Sequence, residues 1–499
     1  VNQTRLGVFL SFFLWCAGDA FAAEPLHALI VGGGPDVEMN GLQIESHVRF
    51  VLSLLPPETK RAVFFADGSA SRATVSYEEL DKFSDAQNAF DVLFPDYKLG
   101  PQMLTRAEKL GTPLDGSSSR ATLHRAVGEL ASALGQKGGP VLFYFAGHGS
   151  PGGNKESDTQ YDMWNNGGLS VHELSAELSR LPSTAPVVLV MAQCYSGGFA
   201  NVIFRDGDPK SPLLPQDLAG FFASTKDREA AGCGAGTDET EYQDFSSYFF
   251  GALSGCNRLG KAVTGADFDG DGRVSFHEAL CYALIHDPTI DTPTCTTDAF
   301  LARFAPGKSS EIYGTGFEKI LAAASPAQHA ALEELSAKLD LTGDGRLLAA
   351  HDRLTYSDPV ARASQIQAYR VTQDKLGALR KSGLDRVFSR WPELRWRKSP
   401  KFRDTLDAAM KKTGEDASFC KNLIEARDAF DHADEAMDVE KAMLLRFTRL
   451  CESVVRARQM RESGNAAMKA RFERLWNAEQ RSLPLAHVPG VIGRNSPLP

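Results

Sequence analysis

The stretch APVVLVMAQCYSGGF, residues 185–199, runs six apolar residues in succession, Val187 to Ala192, up to Gln193 and Cys194, with two glycines close behind. A run this short, rich in β-branched residues and closed by glycine, reads as a strand buried on both faces. Two readings of Cys194 follow. A free cysteine is among the most buried residue types and often only fills space. A cysteine at the end of a strand can also present its thiol at the edge of a sheet.

Four more segments share this texture: PLHALIVGGG (25–34), KRAVFFADG (60–68), GGPVLFYFAGHG (138–149) and DLAGFFAST (217–225). Amphipathic patterns lie between them, notably RATLHRAVGELASALG (120–135) and SVHELSAELSRL (170–181). Apolar strands alternating with such helices predict an α/β fold, a parallel sheet covered on both faces. Ligands of such sheets bind beyond the carboxyl ends of the strands. His148 follows one strand and Cys194 the next. Sequential strands are usually spatial neighbours, so the two side chains are expected at one rim.

The chemistry of that pair is acyl transfer. A thiol attacks as thiolate and needs a base within hydrogen-bond reach, which a histidine supplies. The acyl oxygen then needs N–H donors, and those of Gly149 and Cys194 are the candidates. The two motifs, FYFAGHGS and VVLVMAQCYSGGF, resemble those of the cysteine peptidases that include caspases, metacaspases and legumain. His148 and Cys194 are 46 residues apart, near the caspase spacing of about 50. Ala-Gln-Cys stands where caspases have Gln-Ala-Cys, and Cys-Tyr-Ser-Gly-Gly is closer to metacaspases and legumain. The resemblance covers residues 26–255. It implies a caspase-like sandwich, His148 as general base, Cys194 as nucleophile and a protein or peptide substrate. It also implies a specificity pocket built from the loop after the first strand, GGGPDVEMNGLQIES (32–46), and the segment after the cysteine strand, FASTKDREAAGCGAGTDETEYQDFSSYFF (222–250). Asn40 and Gln43 would line one wall, with Ser224 and Asp244 on the other, and Asp244 at the floor would favour a basic side chain or Asn before the cut. The same dyad serves a transpeptidase or ligase, and an inert, calcium-stapled scaffold is the reading from another class.

DFDGDGRVSFHE, residues 267–278, fits the twelve-residue EF-hand loop. Asp267, Asp269 and Asp271 supply carboxylates at positions 1, 3 and 5, Arg273 a carbonyl at 7, Ser275 stands at 9 and Glu278 at 12, so Ca2+ is the expected cofactor. DLTGDGRLLAAH, residues 340–351, repeats the pattern with His351 in place of the final glutamate.

The chain has 499 residues, 43% hydrophobic and 23% charged, room for two or three domains. Arg5, an apolar run from Leu6 to Ala17 and Ala20-Phe21-Ala22 make residues 1–23 read as a signal peptide. The expected product is secreted or periplasmic, with no membrane span once the leader is removed and no nucleic-acid partner. The organisation expected beyond it is a peptidase domain at 24–258, an EF-hand region at 259–354, a helical domain at 355–483 and a loose tail at 484–499. Gly383, Gly414 and Gly464 are expected to stop helices. Seven cysteines remain after the leader. If Cys194 is free, six are left for three disulfides, with Cys281–Cys295 and Cys233–Cys256 as local pairs and Cys420 and Cys451 flanking DHADEAMD (431–438), where a helical hairpin turns. Residues 1–350 carry net charge −17 and residues 351–499 carry +8, so a basic tail is expected to dock on an acidic front half or meet an anionic partner.

Overall fold

The computed structural model describes residues 24–79, 84–97, 103–136, 138–153, 158–307, 309–355 and 363–485; the expected leader and residues 486–499 of the expected tail lie outside them. Among the described residues ten strands form. They are β1 His27–Gly33, β2 Lys60–Phe65, β3 Val75–Glu78, β4 Met103–Arg106, β5 Val141–Ser150, β6 Gln160–Met163, β7 Gly167–Ser170, β8 Pro186–Met191, β9 Asp217–Phe222 and β10 Thr294–Cys295. The five apolar runs are β1, β2, β5, β8 and β9, and they pair in parallel in the order β9-β8-β5-β1-β2. The short β10 adds antiparallel to β9, and the end of β5 runs on into an antiparallel extension with β6 and β7. β3 and β4 form a separate ribbon. The fold is α/β with a mixed, mostly parallel sheet.

Side chains alternate across the strands and so feed two cores. Ala28, Ile30, Leu142, Tyr144, Val188 and Val190 pack on one face with Ile44 and Val48 of helix Leu42–Leu54 and Phe249 of helix Phe245–Ser254. Leu29, Val31, Phe143, Phe145, Leu189 and Met191 pack on the other with Val127 of helix Arg120–Leu134 and Leu174 of helix Val171–Leu178. Each such buried Val, Leu or Phe stabilises the fold by roughly 1.5–3 kcal/mol. The chain leaves β1 towards β2 and returns on the other side of β1 to make β5. Strand order therefore reverses between β1 and β5, which opens a crevice at their carboxyl ends.

The C-terminal half is helical, and it shares these cores. Helix Ala417–Ser463 has 47 residues and is about 70 Å long at 1.5 Å per residue. Its Phe447, Cys451 and Val454 join the first core and its Met460 the second, while Cys420 and Leu423 belong to a satellite cluster with Phe90, Val387 and Leu406. Two tail residues are fully enclosed at helix ends. Arg446 donates to the carbonyls of Leu284 (3.3 Å), Asp287 (2.6 Å), Thr289 (2.8 Å) and Asp291 (2.6 Å), at and beyond the end of helix Phe276–His286. Glu479 accepts from Thr296 Oγ1 (3.0 Å), Thr297 N–H (2.9 Å) and Thr297 Oγ1 (2.8 Å) at the start of helix Thr296–Phe304. A cation at a carboxyl end and an anion at an amino end satisfy the groups a helix leaves unpaired.

Three expectations need correction. DHADEAMD is no turn, because it contains neither glycine nor proline and the helix passes straight through it. Cys420 and Cys451 therefore stand thirty-one residues apart on one helix, about 46 Å, far beyond the roughly 7 Å a disulfide spans. All seven described cysteines are free thiols, so none of the three expected bridges is present. Gly383 ends no helix; it lies inside helix Ala363–Arg390, where a Cβ would press on Leu93 and Phe419 at 2.9 and 3.0 Å. Gly414 and Gly464 do follow helix ends.

Candidate functional site

β5 and β8 are paired with Phe145 opposite Met191, and carrying that register three residues on sets His148 opposite Cys194. The strand ends stay together past the last pair. A Cβ on Gly149 would overlap the Cys194 carbonyl oxygen and lie 2.8 Å from Gln193 Cγ, so only glycine allows this approach. Cys194 leaves the strand through a sharp turn in which Tyr195 takes a positive φ of 58° before a 3-10 helix, Ser196–Ile203. Strand, left-handed residue and helix make a sharp turn directly after Cys194. The Cys194 N–H donates to no group among the described residues, while Tyr195 N–H bonds to the Arg228 carbonyl.

The two side chains are not hydrogen-bonded to each other. His148 Nε2 donates to the Met39 carbonyl at 2.8 Å, across the crevice between β1 and β5. A carbonyl only accepts, so Nε2 carries the proton and Nδ1 is left as the basic nitrogen. Asp162 stands opposite His148 in the β5–β6 ladder and accepts Ser150 Oγ at 2.8 and 2.9 Å. Burial pushes the Asp162 carboxyl up, against the opposing pull of Ser150 and the nearby imidazole. The half-buried Cys194 sulfur accepts the Ala230 N–H at 3.2 Å and lies 3.6 Å from the Ala230 carbonyl. Burial is the main cause that lifts its pKa to about 11; the Ala230 bond opposes this, and Cys233, Glu229 and Asp291 add to it. At rest Cys194 is a thiol.

Three of the expected pocket residues, Asn40, Gln43 and Asp244, are engaged by the scaffold. Asn40 is fully buried, donates to the Thr74 carbonyl at 2.7 Å and accepts Gly34 N–H at 3.2 Å, so it pins the loop after β1. Gln43 binds Gly234 twice, through its own N–H and through Oε1, at 3.0 Å each. Ser224 is buried behind Gly197, its N–H on Ser196 Oγ at 3.1 Å. Asp244 corrects the sequence reading most clearly. It caps helix Phe245–Ser254 through Ser247 N–H (3.1 Å) and Oγ (2.6 Å), and Arg258 and His47 stand 3.5 Å from its Oδ2. Its charge is met inside the protein. Burial, opposed by Asp244, lowers His47 to about 4. The carboxylates that do act on the Cys194 thiol are Glu229 and Asp291, neither anticipated from the sequence. Glu229 lay within the quoted pocket segment, but Asp291 arrives from a loop with no motif.

The acidic loop folds as its spacing requires. Oxygens of Asp267, Asp269 and Asp271 all lie within 4.8 Å of one another. Gly270 and Gly272 take φ of 74° and 86°, and Asp267 accepts both their N–H groups. Glu278 reaches back to the N–H groups of Phe268 (2.8 Å) and Asp269 (3.3 Å), and with Ser275 it forms a capping box for helix Phe276–His286. The hard oxygen donors and the tight turns fit a divalent cation of the calcium type. The Arg273 carbonyl is the remaining ligand position in the loop, with Ser275 taken up by the cap. In the second loop Asp344 is engaged elsewhere, accepting Glu318 N–H at 2.9 Å at the head of helix Phe317–Leu321, and the His351 ring packs at a tilt against Tyr313.

No family model matches this chain, and no curated protein matches it. Among solved structures, a Geobacter sulfurreducens protein from a structural-genomics programme is similar over 54% of this chain and 92% of its own length, at 12% identity and a TM-score of 0.30.

Proposed function

We propose that this chain is an exported cysteine endopeptidase of caspase-like type, working through a Cys194 thioester. The observation that supports it most is the His148–Cys194 juxtaposition at two adjacent strand ends, beside the crevice where strand order reverses and with an uncommitted N–H on the nucleophile. In the proposed cycle Nδ1 of His148 takes the thiol proton, and the sulfur attacks the substrate carbonyl carbon while the Cys194 N–H receives the oxyanion. The imidazolium returns its proton to the departing amine, and water then opens the thioester and restores the thiol. The Met39 carbonyl holds the tautomer this requires. A thiol near 11 that bonds to Ala230 rather than to His148 makes activation a consequence of substrate binding. The same resting geometry is what favours the second reading, an inert binding protein.

Ca2+ in the 267–278 loop would be held by Asp267, Asp269, Asp271, the Arg273 carbonyl and Glu278, and would brace the start of helix Phe276–His286. Export rests on the leader alone. Caspase-like enzymes are often cut in the loop after the cysteine strand, which here would fall after Arg205 or Lys210; that fits poorly with a loop in which Arg205 N–H binds the Pro212 carbonyl (2.8 Å) and Leu214 N–H the Ile203 carbonyl (2.7 Å). A peptide-library digest with and without calcium tests the proposal. Cleavage by the native chain that vanishes in Cys194→Ala supports it, and equal product patterns from both reject it. Adding an amine nucleophile separates hydrolase from ligase, because only a ligase turns most acyl-enzyme into amide.

A further inference from the structure

On the β9–β10 side of Cys194 lies a cleft of 420 Å³ into which three cations converge from separate parts of the chain: Lys226, Arg303 and Arg449. All three are exposed. Arg303 donates its Nε to the Pro209 carbonyl at 3.1 Å and lies over the Phe304 ring, which leaves its terminal nitrogens for a ligand. Neither Arg303 nor Arg449 has a carboxylate within ion-pair distance among the described residues. Two acids also border the cleft, and each already accepts from its own backbone or side-chain neighbours. Asp298 takes Thr294 Oγ1 (2.8 Å) and Cys295 N–H (3.3 Å), and Asp227 takes Thr225 Oγ1 (2.7 Å). In a chain whose first 350 residues are strongly acidic, a cleft lined by two arginines with no carboxylate within ion-pair distance among the described residues stands apart.

The cleft connects to the thiol along one short loop. Thr225–Asp227 form its rim, and five residues on from Thr225 comes Ala230, whose N–H and carbonyl hold the Cys194 sulfur. Gly197, also in the rim, is three residues past Cys194, at the start of the 3-10 helix. A peptide whose scissile bond lies between His148 and Cys194, continuing past β8 towards β9, meets this cleft within a few residues.

We propose that the cleft is a subsite for acidic side chains of the peptide substrate, a few residues from the scissile bond. The inference rests on the peptidase reading for its catalytic readout, though not for binding. The test uses two peptides that differ only by a Glu-Glu or a Gln-Gln pair, placed in turn at each position from the second to the sixth on either side of a cleaved bond. The acidic peptide is expected to show a KM lower by several-fold at one placement. Arg303→Ala with Arg449→Ala should raise that KM about tenfold, leaving kcat and the neutral peptide unchanged, since partly exposed ion pairs are each worth a few-fold. Equal KM values for the two peptides at all placements, or losses shared by both, would overturn it. Binding of the same labelled pair to the full-length Cys194→Ala chain, read by fluorescence anisotropy, separates the two proposals. Tighter acidic binding there, abolished by the arginine substitutions, sustains the subsite even if no peptide is cut. Inorganic phosphate as tight as the peptide, with no Glu-over-Gln preference, would mark a simple anion site and reject the peptide version.

Discussion

The rim at β5 and β8 and the wall behind it were both read from the same kind of sequence pattern, yet they differ in what their polar groups are doing. At the rim His148 and Cys194 sit beyond the last β5–β8 pair, and the Cys194 N–H has no partner among the described residues. In the wall Asn40, Gln43 and Asp244 each have their hydrogen-bonding capacity taken up by backbone or by a buried cation. A strand dictates where its end residue goes, and the next residue in the turn need not satisfy anything. A polar side chain on a loop or at a helix start is claimed by the nearest unpaired N–H.

The sharpest way to break this comparison is to remove one residue from each side. Cys194→Ala is expected to lower peptide cleavage by at least about 10⁴-fold while the melting temperature stays within a few degrees. Residual cleavage within tenfold of native would remove the rim from the chemistry. Asp244→Ala should do the opposite. Leaving Arg258 buried without its carboxylate costs about 3–5 kcal/mol, seen as a fall in the denaturant midpoint, with the order of preferred peptides unchanged. A stable Asp244→Ala chain with altered side-chain preference would return Asp244 to the pocket.

The same principle sets what the sequence could tell. Apolar runs and their order gave the five parallel strands, because burial on both faces leaves an unmistakable pattern. Pairing distance along the chain then put His148 near Cys194. The single-residue reading failed where long-range packing decided the outcome. The lack of glycine and proline in DHADEAMD permits a helix, but that it runs on through 47 residues is set by the cores that hold its two ends. Nothing local marks Met39, whose carbonyl orients His148 and whose side chain plays no part. Arg446 and Glu479 look like any charges of the basic tail, and only the docked helices make them buried caps.

Glu479 sharpens the comparison on the structural side, because it is a titratable group engaged wholly in packing. Burial raises it from the ordinary 4.5 to about 7, against the bonds from Thr297 and Thr296. The folded chain therefore holds this proton more tightly than the unfolded one. The stability it provides is complete below about pH 4.5 and is lost as pH rises through 7, by roughly 3 kcal/mol. Glu479→Gln keeps an acceptor and carries no charge. It should match the native chain at pH 4 and exceed it at pH 8, in urea unfolding curves at the two pH values. A difference that does not change with pH would show that Glu479 is charged at little cost where it sits.

The smallest effect separates two loops that share a spacing. In 267–278 three carboxylates cluster and Glu278 closes the loop, whereas in 340–351 Asp344 is drawn off to cap helix Phe317–Leu321. Spacing alone treats the two loops alike; only the first keeps a cluster of three carboxylates, and the proposed cation belongs there. Titration calorimetry should find one site, weakened tenfold or more by Glu278→Gln and untouched by Asp344→Asn. Asp344→Asn should lower stability by about 1 kcal/mol at most, as the loss of a charged cap does. Two sites in the native chain, or one that Asp344→Asn abolishes, would mean that a bound cation outcompetes the helix for Asp344. An absence of any calcium heat would leave the capping box of Ser275 and Glu278 as the sole reason for that sequence.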